Sequence, residues 1–247
     1  MPADDDWILY AGYNDKTLMR NVIAYDTARL MGRYASRTRF VEVRLNGRYH
    51  GVYVLMEKLK LNEDRIDLPE PAQLLEWTFG FQAKSKGRYV RLPISKYFML
   101  YEDPEREDIG HARRAQVQRS IGKAERALYG ADFRDPERGW RRHIDEAAAI
   151  DFVLVNELFK NQDAFHGGLR GDILRGVRRR ASRLSATGAV RRNFARWPVL
   201  GTRIWPNPPA AVRRTTYASE VSALRSWLKR RIAWLDANVD ELQSGRT

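Results

Sequence analysis

The stretch that most constrains the fold is RFVEVRLNGRYHGVYVLMEK, residues 39–58. Val41, Val43 and Leu45 alternate with Glu42 and Arg44, the period-two pattern of a strand with one buried face. Asn46-Gly47 follows, and both residues tolerate the positive φ of a two-residue type I′ turn. The return run, Gly51 to Met56, is apolar on both faces, so it belongs inside a sheet. It ends in the charged pair Glu57-Lys58.

The flanking elements are read the same way. Residues 13–32 predict a helix, with Asn14 or Asp15 as its cap, Leu18, Val22 and Tyr25 on one face and Gly32 at its stop. Residues 74–84 and 88–103 predict a strand pair bounded by Pro69, Pro71 and Pro104. Helices are expected from His111 to Tyr129, from Ile144 to Lys160 and from Tyr217 to Leu242. In the second of these an Ile150, Val153, Leu154 and Leu158 stripe faces a core. From Gly167 to Thr187 the apolar period fails. Trp197, Trp205 and Trp227 read as packing residues. Runs of strands and helices in this order give an α+β fold class.

Composition excludes several chemistries. The 43% hydrophobic content is that of a globular chain. There is no cysteine, so disulfides and thiolate metal sites are excluded. The four histidines (His50, His111, His143, His166) lack ligand spacing. No run of about 18 apolar residues spans a membrane. The start, MPADDDWILY, has no basic segment of the kind that opens a signal peptide, which gives a cytoplasmic expectation. The charge is concentrated: residues 170–196 hold nine arginines against one acid, Asp172, and so carry +8 of the formal +13. Such a segment can contact a polyanion through its phosphates.

Beyond composition, DWIL at 6–9, DKTLMRN at 15–21 and the hairpin through Lys58 resemble the CotH kinase family, the spore coat protein H-like atypical protein kinases. NELFKNQD, 156–163, is similar to the family's N-E-x-x-x-N-x-D loop, and 190–238 resembles the C-terminal part of bacterial members. The resemblance implies an atypical protein-kinase-like fold and ATP- and Mg2+-dependent phosphorylation of Ser in protein substrates. It implies Asp163 as catalytic base, with Asn161 either orienting it or capping the helix end. It implies Met56, Glu57 and Lys58 as a hinge-like nucleotide-binding segment. It also implies that Arg20 lies mid-helix on an αC-like element, as an inward ion pair or a solvated charge.

Two departures accompany it. The family's nucleotide-lobe strands upstream of D-W-x-L are expected to be missing, with only six residues standing before Trp7, and no W-D-F-D metal motif occurs in the 247 residues. Asp172, nine residues after Asp163, is the remaining metal candidate. The expectation is therefore one incomplete kinase-like domain over 1–247: an N-lobe part (1–60), a helical part with the catalytic loop (61–166), a divergent segment (167–189) and a C-terminal helical part (190–247). Its alternative is an inactive pseudokinase remnant acting as a binding module. By family, a spore or extracytoplasmic location stands beside the cytoplasmic one.

Overall fold

The computed structural model describes residues 1–78, 84–159 and 172–244. The architecture is α+β, packed as two compact units, one of 1–58 with 150–247 and the other of 59–149.

The first unit is built on the hairpin. β1 (Trp7–Tyr10), β2 (Thr38–Leu45) and β3 (Arg48–Glu57) form an antiparallel sheet in the order β1-β3-β2. β3 is thus central, as its two-sided apolar run requires. Leu45 pairs with Arg48 across Asn46 (φ 49) and Gly47 (φ 76), the left-handed pair of a type I′ turn. β1 has four residues behind three acids, too short and too charged at its start to announce itself as a strand.

The register slips so that Val43 faces Gly51 while Arg44 faces Tyr49, leaving His50 as the extra residue of a bulge. Val52, Val54 and Met56 point into the unit. There they meet Leu18 and Val22 of the segment around α1 (Arg20–Leu30).

α1 is shorter than the 13–32 expectation at its N-terminal end, because Leu18 adopts φ 62, which a continuing helix cannot hold. Gly32, at φ 79, ends the turn after the helix as the sequence indicates.

Within the second unit, β4 (Leu74–Thr78), β5 (Tyr89–Arg91) and β6 (Phe98–Asp103) pair in the order β4-β6-β5. The expected second strand is in fact two, because the chain turns at Leu92–Tyr97, closed by Leu92 N–H to Tyr97 O at 2.9 Å. α2 (His111–Tyr129) lays Val117 against Val90 and Tyr101. Its buried Glu125 accepts the Ile94 and Ser95 amides, each at 2.7 Å, and so fixes that turn. Burial pushes the Glu125 carboxyl up, but the Ser95 and Ile94 hydrogen bonds outweigh it and hold the group below its usual range.

The remaining helices are α3 (Glu146–Phe159), α4 (Asp172–Ala186), α5 (Ala189–Arg196) and α6 (Tyr217–Ser244). α4 overturns the reading that the pattern fails from 167 to 187. Val177 is fully buried, Leu184 is buried and Ala181 packs beside them. With Ile173 and Leu174, these residues have helical spacing. The apolar period was present in the sequence, and the arginines between its members obscured it.

In α3, Leu158 is fully buried, but Ile150 and Val153 are 51% and 41% exposed. The predicted stripe therefore reaches a core only at its C-terminal end. α6 supplies Leu224, Leu228, Ile232 and Leu235 to the core that holds Met19, Ile23, Leu158 and Val177. Burying each such side chain is worth about 1.5–3 kcal/mol. Trp227 packs on this core, whereas Trp205 is 84% exposed and is not a packing residue.

Candidate functional site

Residues of the first unit gather around the two ends of α1 and β3. Before α1, the Asp15 carboxylate is buried and works as an acceptor for its own loop. Oδ1 takes the Thr17 amide at 3.0 Å and the Thr17 hydroxyl at 2.6 Å, and Oδ2 takes the Arg20 amide at 2.8 Å. The first free helical N–H is thereby capped from outside the helix.

Lys16 is 2% exposed. Its ammonium donates to Thr202 O and lies 3.8 Å from Glu220 Oε1, while Arg214 Nε meets Glu220 Oε2 at 2.7 Å. Tyr217 donates its hydroxyl to Thr17 O at 3.2 Å, and burial pushes that phenol well above its ordinary value. Asn207 donates to Asn14 O at 2.9 Å. The DKTLMRN segment is therefore locked onto the loop and helix that follow α5. Arg20 does not lie mid-helix. It opens α1, its side chain is 47% exposed, and Nε stands 3.5 Å from Asp15 Oδ1.

At the end of β3, Met56 is buried in the sheet's inner face. It pairs with Ile8 on one side and Thr38 on the other. Glu57 is 1% exposed. Its carboxylate accepts the Arg37 amide and the Arg37 Nε, both at 2.8 Å, and its own N–H bonds Arg37 O at 3.3 Å. From the other side Arg29 donates to Ala35 O at 3.0 Å and to Ser36 O. The segment 35–37 is thus held between a buried acid and a half-buried arginine. Lys58 lies 3.9 Å from Asp6, linking β3 to the approach of β1. The sequence suggests Glu57 and Lys58 as hinge residues but gives no sign of the Glu57–Arg37 pair, because its members are twenty residues apart.

α3 leads towards the predicted catalytic loop, and its C-terminal end is fixed. Glu157 is buried against Arg231 of α6, which also donates to Glu157 O at 3.4 Å. Arg33 holds Asp151 at 2.7 Å. Asn161 and Asp163 lie outside the described residues. Asp172 opens α4, and its side chain also lies outside them.

α5 grips the β3 bulge with two residues one turn apart. Asn193 Oδ1 accepts the Val52 amide at 2.8 Å. Trp197 Nε1 donates to His50 O at 2.8 Å. The intervening Gly51 sits at φ 110, and a Cβ there would stand 2.7 Å from Asn193 Oδ1 and 3.0 Å from Trp197 Nε1. Only glycine fits that approach.

A family model described as CotH kinase protein matches residues 1–171. The chain belongs to the CotH kinase family. No curated protein and no solved structure matches it. As a CotH kinase family member it carries the expectation of kinase-like chemistry with ATP and Mg2+.

The matched region ends at Gly171, and α4 begins at the next residue. Among the described residues, the one cluster with three potential metal ligands is Asp4, Asp5 and Asp6. These are consecutive acids before β1, and the donor set a phosphotransferase metal needs does not assemble elsewhere among the described residues. Among the described residues no helix is long and apolar enough to cross a membrane.

Proposed function

We propose that residues 1–247 form one kinase-like domain of the CotH type that transfers the terminal phosphoryl group of ATP to a serine of a protein substrate. Family membership carries this reading. Asp163 receives the serine hydroxyl proton as the oxygen attacks phosphorus, ADP leaves, and Asn161 orients the carboxylate. The anchored end of α3, with Leu158 fully buried and Glu157 paired to Arg231, supports a rigid platform just before that loop. The hinge-like role falls to the end of β3. Met56 and Glu57 lie in a strand flanked on both sides, and Lys58 is the member of the three that follows the strand's last residue.

A second reading, a pseudokinase that serves as a binding module, is favoured by a specific observation. No W-D-F-D stands in the sequence, and the arginine-rich α4 begins nine residues after Asp163. Transfer of radiolabel from ATP to a protein substrate separates the two. On the kinase reading the wild-type chain labels substrate and Asp163→Asn lowers the rate by about 100-fold or more. Equal background rates in both, with a thermal shift on adding ATP, select the pseudokinase.

A further inference from the structure

The grip of α5 on the β3 bulge leaves one donor over. The Val52 amide is a donor, so the Asn193 atom it meets at 2.8 Å is the carbonyl oxygen. The NH2 of the same side chain therefore points away from β3. Asn193 is 5% exposed, and its Nδ2 meets no acceptor among the described residues. The atom itself is not fully enclosed by protein, so an acceptor that enters beside it can reach it. It is thus a site waiting for an acceptor.

Asn193 lines a cavity of about 230 Å3 together with Tyr13, Val52, Phe194, Trp197 and Val199. Tyr13 meets Trp197 edge-on, with ring centroids 5.6 Å apart. Trp197 is held from two sides, by its hydrogen bond to His50 O and by Arg196 stacked 4.3 Å from its ring centroid. The charges at the cavity wall are already used: Asp15 by Thr17 and Arg20, and Lys16 by Thr202 and Glu220. An ion entering would lose hydration without gaining a free countercharge there.

We propose that this cavity binds a small neutral aromatic ring bearing a carbonyl or ring-nitrogen acceptor, which takes its hydrogen bond from Asn193 Nδ2. The aromatic walls favour a flat ring through offset or edge contacts. The volume limits the occupant to one small ring system, since sites for drug-sized ligands run from about 300 to 1,000 Å3.

Benzamide and nicotinamide are the probes, with cyclohexanecarboxamide as the non-planar control, read by the Trp197 indole N–H resonance. The wild-type chain should show a saturable shift with both aromatic amides and at least several-fold weaker binding of the control. Asn193→Asp keeps the acceptor for the Val52 amide and replaces the donor NH2 with oxygen, so affinity should fall at least tenfold. Tyr13→Ala, at a half-exposed position that spares the core, should weaken binding at least threefold whether or not Asn193→Asp folds. An absent or unsaturable wild-type shift overturns the proposal. So does equal binding of the control, or unchanged affinity in either variant.

Discussion

Lys16 shows how a family motif can serve architecture. Its buried ammonium is taken up by Thr202 O and Glu220, with Arg214 on the same acid. Removing one member of a buried ion group leaves an uncompensated charge and costs about 3–5 kcal/mol, whereas replacing the whole group by apolar residues can be neutral. Lys16→Ala is therefore expected to lower the unfolding free energy by about that amount, read as a lower urea midpoint, while Lys16→Met with Glu220→Leu and Arg214→Met recovers much of it. A single variant that unfolds at the wild-type midpoint would show the group to be energetically idle. Little of this was legible in the sequence. Asp15 as an acceptor near the helix start was legible in part, because capping is local: it accepts the Arg20 amide, but the helix starts at Arg20 with Met19 in the cap position. Lys16 with Glu220 and Glu57 with Arg37 were not, because such pairs depend on how distant segments pack.

At the scale of elements, the hairpin was the most legible part. Alternation, the Asn46-Gly47 turn and a two-sided apolar return strand all pointed to one answer, and β3 is central as they required. α4 was the least legible because arginine dominates its composition, even though Val177, Ala181 and Leu184 keep helical spacing. Its two faces make opposite predictions. Val177 is fully buried and Arg179 is exposed. Val177→Asp places an unpaired charge in the core and is expected to cost more than about 4 kcal/mol, while Arg179→Asp stays within about 0.5 kcal/mol. Chemical denaturation followed by circular dichroism measures both. Similar losses for the two would mean that the helix is not amphipathic in solution.

For the molecule as a whole, the excess charge is the property that composition announced and the fold has redistributed. The nine arginines of 170–196 are not equivalent. Arg180 turns inward to Asp26, and Arg192 binds Glu42 at 2.6 and 2.7 Å. Arg196 lies over Trp197. Arg178, Arg179 and Arg183 are exposed on the outward side of α4, with Arg179 and Arg183 at the four-residue spacing that aligns side chains on a helix and Arg178 next to Arg179. A polyanion meeting this face would displace about 0.9 counterions for each phosphate neutralised, so affinity should fall steeply with salt. Binding to a random DNA duplex, measured across a salt series, is expected to lose slope by about 2.7 when Arg178, Arg179 and Arg183 are all replaced by alanine. Replacing Arg192 should change the slope by much less, because that charge is already held by Glu42. Affinity that stays constant from low to high salt, or an equal change from the Arg192 variant, would mean that the charge of this segment serves internal pairing and helix solvation instead of an anionic partner.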